Sequence, residues 1–322
     1  MRMCATVRTG PNGMGRSACL GRGLTALYLL RRPRDTADVT TERPAFDSLL
    51  PAEMAGRAED VGVRKTHLDA VGLFALAFLA GAFISLGAIF ATTVATGAVE
   101  LPYGVGRLLA GLAFSLGLIL VIVGGAELFT GNNLIVMAWA SRKVTAAQVL
   151  RNWSIVYVGN LAGALATVVV MVLSEQYTFG NGSVGATALA IGNTKAALDF
   201  VPAVALGMLC NALVCLAVWL TFSARTTTDR ILAIVPPIAA FVAVGFEHCV
   251  ANMYFIPEAI AIRLVAPDAF WTAIGKVPAD YPNLTAEGFI ANMVPVTIGN
   301  VVGGALMVGI VYWFIYLRGR TA

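Results

Sequence analysis

The 322-residue chain is 58% hydrophobic and only 12% charged, with a formal net charge of +4. Soluble domains are usually about 45–50% apolar and about 25% charged, so this composition excludes an ordinary water-soluble fold and indicates a lipid environment. The basic residues form no cluster, which argues against nucleic acid as a partner. Only His67 and His248 are present, so we expect neither a metal site nor a cofactor.

The N-terminal part of the chain differs from the rest in composition. Residues 1–44 are rich in Arg, Gly and Pro, have no long apolar run, and are predicted to form a disordered tail. Residues 45–66 predict an amphipathic cytoplasmic helix on the membrane surface, with Leu50 and Met54 on its apolar side. The alternative for this segment is an unstructured linker. We expect residues 67–318 to form the membrane domain.

Six apolar segments follow, and each is long enough for the roughly 20 residues that a membrane span requires. They cover residues 70–96, 106–140, 147–173, 201–223, 231–262 and 290–317. The second and the fifth are too long for one simple helix, and both carry polar residues near their centres. The sequence therefore predicts an all-α membrane protein of six transmembrane helices, with helices 2 and 5 interrupted.

An internal repeat relates the two halves of this domain. The third segment reads VGNLAGALATVVV from Val158, and the sixth reads IGNVVGGALMVGI from Ile298. Three spans is an odd number, so two copies of three must be inverted across the membrane. Interrupted helices at matching positions of inverted halves are typical of a substrate path near mid-membrane. The alternative is a chance similarity of small-residue faces that pack closely.

Basic residues predict the orientation, because cytoplasmic loops carry an excess of Lys and Arg. With a cytoplasmic N-terminus, the larger group falls inside: Arg64, Lys65, Arg142, Lys143, Arg151, Arg225, Arg230, Arg318 and Arg320. The smaller group falls outside: Arg107, Lys195, Arg263 and Lys276. We therefore expect a multi-pass protein of the cell (inner or plasma) membrane with both termini in the cytoplasm.

Polar residues mark the two interruptions. Gly124–Asn133 reads GGAELFTGNN, and broken backbone inside a membrane is tolerated where it is buried in protein or lines a cavity. This favours a pore loop that offers Thr130 to a solute, the alternative being a kink satisfied by neighbouring helices. The second interruption carries Glu247, His248 and Asn252, and charged groups at such depth rarely face lipid. His248 is predicted to bind an anion or to donate a proton to it, because imidazole titrates near neutral pH.

Three further polar residues have two interpretations each. Lys195 precedes the fourth span, where it would either concentrate anions at a pore mouth or extend its ammonium to the interface. Asn211 and Asn300 lie in the middle of apolar segments, where each would either face the pore or bond to another helix.

These motifs resemble the formate/nitrite transporter family. The resemblance is carried by GFEHCVANMYFIP at Gly245–Pro257, GGAELFTGN from Gly124, VPVTIGNVVGGAL from Val294 and the Pro236-Pro237 run, in order over residues 45–318. It implies an aquaporin-like protomer in an inverted 3+3 arrangement, assembled as a homopentamer with one pore per protomer. Aquaporins themselves match poorly, because the chain has no Asn-Pro-Ala motif.

The resemblance also implies roles for individual residues. Thr130 and His248 would flank the central site, Asn211 and Asn300 would line the pore, and Lys195 would lie in the outer vestibule. Apolar constrictions above and below this site would be formed by Phe114, Leu118, Leu128, Phe129, Val214 and Phe241. The run Gly131-Asn132-Asn133 is closer to nitrite-type members than to the formate branch, which leaves the substrate open.

The predicted function is a channel or transporter for small monovalent weak-acid anions such as formate or nitrite, proton-linked through His248, with anion, protons and lipid as its partners. The alternatives are a channel for hydrosulfide or for a neutral solute. An enzyme is not expected, because the sequence has no metal-ligand cluster, nucleotide motif or nucleophile–base pair, and Glu247 and His248, as adjacent helical residues, would point apart.

Overall fold

A computed structural model describes residues 47–320, so the predicted tail at 1–44 lies outside the described residues. Regular structure within this range is entirely helical. The helices are α1 (Pro51–Thr66), α2 (Ala70–Ala95), α3 (Tyr103–Gly124), α4 (Val136–Ala140), α5 (Ala146–Leu173), α6 (Ser183–Ala196), α7 (Phe200–Ser223), α8 (Thr227–Val244), α9 (Cys249–Val265), α10 (Asp268–Ile274), α11 (Ala286–Val301) and α12 (Val311–Tyr316).

Among residues 47–320, six helices are long and apolar enough to cross a membrane, and the bent pair α9–α10 would make a seventh span. Five of the six are α2, α3, α5, α7 and α8, and the sixth runs from Ala286 to Tyr316. The prediction of an all-α protein with about six membrane-capable helices is confirmed. The predicted segment 147–173 begins within one residue of α5, and 201–223 begins within one residue of α7.

Glycines end the two helices whose segments were predicted to be interrupted. Gly125 follows α3 with φ +81°, and Gly245 follows α8 with φ +83°. A side chain would strain the backbone in this left-handed region, so glycine suits a helix end there. The chain is then non-helical until a 3₁₀ turn at Gly131–Ile135 after α3, and until Cys249 after α8.

Small residues let the long helices approach to backbone contact. A Cβ on Gly81 in α2 would lie 2.0 Å from the carbonyl oxygen of Asn160 in α5. On Gly163, one turn later in α5, it would lie 1.9 Å from the carbonyl oxygen of Phe78. Membrane helices associate through such packing because lipid provides no hydrophobic drive between them. The α2–α5 interface therefore depends on glycine at both positions.

We expect Gly163→Leu to lower the free energy of unfolding by at least about 1–3 kcal/mol, because the obstacle is backbone that cannot rotate away. Val169→Leu is a matched control, since it adds bulk to an exposed position of the same helix. Thermal unfolding of the purified proteins in detergent measures the difference. Equal melting temperatures for the two variants would contradict this account of the interface.

Two helices outside the six spans pack against the bundle. The buried side of α1 includes Met54, Ala55 and Ala58, and Met54 belongs to a core cluster with Trp219 of α7. This side therefore contacts protein, whereas the sequence predicted that it would contact the membrane surface. Helix α6, which sequence analysis did not predict, packs against α9 and ends beside Lys195.

The last span changes its winding halfway. After α11 ends at Val301, residues Val302–Ile310 form a π-helix, in which each N–H bonds five residues back, before α12 begins. The wider turn begins just after Asn300. Short π segments often occur at functional sites, and this one lies beside the polar residues described next.

Candidate functional site

Thr130 and His248 meet at the centre of the bundle, although they are 118 residues apart in sequence. Thr130 Oγ1 lies 2.9 Å from His248 Nε2, and both side chains are buried. Thr130 ends the non-helical stretch after α3, and His248 ends the stretch after α8. The two breaks thus present one hydroxyl and one imidazole to each other.

Hydrogen bonding fixes the tautomer of His248. Its Nδ1 accepts a hydrogen bond from the Ala251 backbone N–H at 3.1 Å, which caps the first turn of α9. A nitrogen that accepts from an N–H carries no proton, so the proton of the neutral ring is on Nε2. The Nε2–H therefore points at Thr130, where it can donate to the hydroxyl or to a small anion.

Glu247 is the centre of a buried polar cluster beside His248. Its Oε1 accepts from Lys195 Nζ at 2.8 Å, and its Oε2 accepts from Asn252 Nδ2 at 2.6 Å. Asn252 Nδ2 also donates to Asn292 Oδ1 at 2.7 Å, and Asn292 Nδ2 donates to the Lys195 carbonyl at 2.8 Å. The cluster closes on itself and ties α6, α9 and α11 to the second break.

A cluster of the same composition lies at the first break. Glu127 accepts from Lys65 Nζ at 2.8 Å and from Asn132 Nδ2 at 2.7 Å. Asn132 Nδ2 donates to Asn152 Oδ1 at 2.9 Å, and Asn152 Nδ2 donates to the Lys65 carbonyl at 3.1 Å. Sequence analysis included Glu127 and Asn132 in the interruption Gly124–Asn133 but did not pair them with Lys65 or Asn152. The signal was present, because Glu and Asn are five residues apart in both breaks.

One asparagine anchors the backbone of each break. Asn160 Oδ1 accepts from the Phe129 N–H, and its Nδ2 donates to the carbonyls of Glu127 and Ala77. Asn300 Oδ1 accepts from the Cys249 N–H, and its Nδ2 donates to the carbonyls of Glu247 and Gly207. Both amides are fully buried. They satisfy peptide groups of the two breaks and link each break to the interior of α2 or α7.

Asn211 connects α7 to both the first break and α11. Its Nδ2 lies 2.6 Å from the Asn300 carbonyl, 2.8 Å from Asn133 Oδ1 and 3.3 Å from the Thr130 carbonyl. The Asn300 carbonyl lies at the start of the widened winding of the last span. The contacts of Asn211 are with neighbouring segments of protein, as are those of Asn300.

Two cavities lie on either side of the Thr130–His248 pair. One, of about 260 Å³, includes Lys65, Glu127, Arg57 and Arg230 in its lining and is here called the Lys65 vestibule. The other, of about 410 Å³, includes Lys195, Glu247, Arg107 and His248 and is called the Lys195 vestibule. Both combine a few charged groups with mostly apolar walls, as small-molecule sites usually do.

The predicted constriction residues are divided between these cavities and the surrounding core. Leu118 and Leu128 line the Lys65 vestibule, whereas Phe114 and Phe241 line the Lys195 vestibule. Phe114 and Phe241 pack edge to face at 5.5 Å between ring centroids, and Phe241 lies 5.9 Å from the imidazole of His248. Buried apolar side chains therefore border the central pair on both sides.

Phe129 and Val214 are buried but belong to neither vestibule lining. Phe129 packs edge to face against Trp153 and Tyr157 of α5. Val214 belongs to the main hydrophobic core. Within residues 47–320, no group of three or more His, Cys, Asp or Glu side chains is placed to hold a metal ion.

Comparisons with known proteins match this architecture. The family model for the formate/nitrite transporter matches residues 52–314. The formate channel FocA of Escherichia coli (strain K12) is 48% identical over 274 residues, which cover 85% of this chain and 96% of that protein. A solved "Pentameric formate channel with formate bound" has a TM-score of 0.74 and 49% identity, covering 77% of this chain and 98% of that one. A solved "FNT family ion channel" has a TM-score of 0.68 and 26% identity, covering 82% and 98%.

These relatives are channels and transporters, which confirms the prediction that this multi-pass membrane protein is not an enzyme. The family match extends from the start of α1 to the middle of α12, so it covers both breaks and both polar clusters. The resemblance predicted from the sequence motifs is confirmed on this basis, and the chain belongs to the formate/nitrite transporter family.

Proposed function

We propose that this protein is a channel for formate and similar small monovalent weak-acid anions, with proton linkage through His248. The observation that carries the proposal is the buried Thr130–His248 pair, which lies between two vestibules and offers a hydroxyl and an N–H to one small solute. The relatives described as formate channels support formate over nitrite as the physiological substrate. Hydrosulfide and neutral solutes are the alternatives.

We further infer that residues 51–173 and 183–316 are inverted repeats, with α3–α4 and α8–α9 as the two interrupted spans. The two Lys-Glu-Asn-Asn clusters support this, because each joins the same four residue types through the same pairs of bonds. Asn160 and Asn300 also bond equivalent backbone groups. In this scheme α6 is the counterpart of α1, and the aquaporin-like path runs between the breaks.

The Thr130–His248 pair lowers the free-energy cost of moving an anion through an apolar constriction. A bare charge in the middle of a membrane costs at least about 2.5–3.5 kcal/mol. The apolar side chains remove water from the anion. Hydrogen bonds from Thr130 and His248 then replace some of the hydrogen bonds that the lost water made. As the local dielectric constant falls, the protonated, neutral form of the permeating acid becomes favoured. The neutral acid then crosses and releases its proton in the opposite vestibule.

His248 can supply that proton only from its imidazolium form. Because Nδ1 accepts from the Ala251 N–H, protonating Nδ1 breaks this hydrogen bond at the start of α9. Loss of the proton from Nε2 restores a neutral ring when Nδ1 holds the other proton. Proton transfer is therefore coupled to the backbone of the second break, whereas hydrogen-bond donation to the anion from Nε2–H is not.

We propose a homopentamer in the cell membrane, with lipid around the assembly, as supported by the relative described as a pentameric formate channel. Basic residues are more numerous at the Lys65 end of the bundle than at the Lys195 end, which supports a cytoplasmic Lys65 vestibule and cytoplasmic termini. Cysteine labelling from each side of the membrane at exposed Arg142 and Lys276 tests this orientation.

Proteoliposomes test the proposed function directly. We expect wild-type uptake of labelled formate to rise as the external pH falls, with nitrite and acetate also moving and glycerol excluded. His248→Phe should flatten this pH dependence, whereas His67→Phe, at the exposed end of α1, should leave it unchanged. Absence of wild-type formate and nitrite uptake at every pH would exclude the anion function. An unchanged pH profile in His248→Phe would exclude the proton relay alone.

A further inference from the structure

We propose that Arg107 sets the positive potential of the Lys195 vestibule and so determines how readily anions enter from that end. The inference deepens the proposed anion channel and rests on it. Arg107 lies in the first turns of α3, and its side chain contributes to the lining of the vestibule. Sequence analysis placed it only among the basic residues predicted to lie outside the membrane and gave it no role in the path.

The charge balance of the vestibule leads to Arg107. Arg107, Lys195 and Glu247 are the Lys, Arg, Asp and Glu side chains in its lining. Lys195 and Glu247 form an ion pair at 2.8 Å, and their side chains are only 17% and 6% exposed. A tight pair has almost no net field at a distance. Arg107 forms no ion pair among residues 47–320. The net charge of +1 on the lining of the vestibule therefore comes from Arg107.

Arg107 also covers the negative end of a helix. Its Nη2 donates to the Val242 carbonyl at 2.6 Å and its Nε donates to the Ala243 carbonyl at 3.1 Å. These are among the last carbonyls of α8, which ends at Val244 just before the break that carries His248. A helix C-terminus is equivalent to roughly −0.5 charge, which repels anions. Arg107 therefore removes a repulsion and adds an attraction at the same place.

The hydrogen bonds hold the guanidinium where the field is useful. Both bonded carbonyls lie four to six residues from Glu247 and His248 in sequence, so the charge is fixed close to the entrance of the central site. Guanidinium remains charged at all physiological pH values. The potential should therefore be independent of pH, unlike any contribution from His248.

Salt dependence distinguishes a field from a structural contact. We expect Arg107→Gln to reduce initial formate uptake about three-fold at an ionic strength of about 0.01 M. The deficit should vanish near about 1 M, where the screening length falls from about 30 Å to about 3 Å. Arg107→Lys, which preserves the charge but not the paired donation, should behave as wild type at both salt concentrations. Lys276→Gln, an equal charge change outside this vestibule, is the control.

A second variant separates the field from the covering of α8. Thr194 is exposed in the lining of the same vestibule, so Thr194→Lys added to Arg107→Gln restores the charge without restoring the bonds to α8. We expect recovery of low-salt uptake. The inference would be overturned by a salt-independent loss of uptake that Arg107→Lys shares and that Thr194→Lys does not repair. Low-salt uptake by Arg107→Gln equal to that of the wild type would also overturn it. Failure of wild-type uptake would instead contradict the proposed channel.

Discussion

Glu247→Ala should lower the free energy of unfolding by about 3–5 kcal/mol, because it leaves a buried ammonium without its partner. Glu247 Oε1 accepts from Lys195 Nζ, whose side chain is only 17% exposed. The same substitution removes one of the two acceptors of Asn252 Nδ2. Thermal unfolding and size-exclusion elution of the purified protein in detergent measure the loss.

Glu127→Ala, the matched change in the cluster at the first break, should lower the free energy of unfolding by less than Glu247→Ala does. In Glu127→Ala, Lys65 Nζ still donates to Asn132 Oδ1 at 2.8 Å, and the Lys65 side chain is 26% exposed. Water and one remaining acceptor therefore stabilise its charge. Equal losses of unfolding free energy in Glu127→Ala and Glu247→Ala would contradict the claim that the unpaired, buried ammonium of Lys195 causes the larger loss.

A double variant identifies the source of the Glu247 effect. Lys195→Met combined with Glu247→Leu removes both charges at nearly constant volume, and buried ion pairs replaced in this way often lose little stability. We expect the double variant to recover most of the stability that Glu247→Ala loses. A double variant no more stable than Glu247→Ala would show that the unpaired ammonium is not the cause.

Asn300→Leu should destabilise the protein by about 2 kcal/mol or more, because two buried backbone groups at the second break are left without a partner at about 1–3 kcal/mol each. These groups are the Cys249 N–H and the Glu247 carbonyl, and the Gly207 carbonyl inside α7 loses one further hydrogen bond. The first two flank His248 directly in sequence. Formate uptake should therefore fall together with stability, since the imidazole is no longer held opposite Thr130.

The equivalent variant in the first half provides the comparison. Asn160→Leu removes bonds to the Phe129 N–H and to the carbonyls of Glu127 and Ala77, so its cost should be similar. Asn193→Leu is the control, because the partly exposed Asn193 accepts a single bond from the Asn283 N–H. If the Asn300→Leu variant were as stable as the Asn193→Leu variant, that result would contradict the role of Asn300 as an anchor of the second break.

The apolar spans could be predicted from the sequence because their signal is local and long. The predicted segment 70–96 ends one residue after α2, and the composition alone required lipid. Helix α6 was missed because its 14 residues are too short for a span and include Gly, Asn, Thr and Lys. Its position depends on packing against α9, which a local pattern does not contain.

The site was only partly predictable for the same reason. His248, Glu247 and Thr130 are unusual residues in apolar segments, so their types drew attention to them. Their hydrogen-bond partners could not be predicted, because the partners are distant in sequence. Lys195 and Glu247 are 52 residues apart, and Arg107 and Val242 are 135 residues apart. The recurring spacing from Glu to Asn was the one local trace of the paired clusters.

Gly81 and Asn211 each lie twelve residues after the aspartate, Asp69 or Asp199, that begins their helix. In the proposed repeat they occupy one ancestral position. A side chain at 81 would collide with the Asn160 carbonyl, whereas loss of the amide at 211 would remove its hydrogen bonds to the Asn300 carbonyl and to Asn133 Oδ1. Neither residue can replace the other, so the two halves of the proposed repeat are not interchangeable at this point.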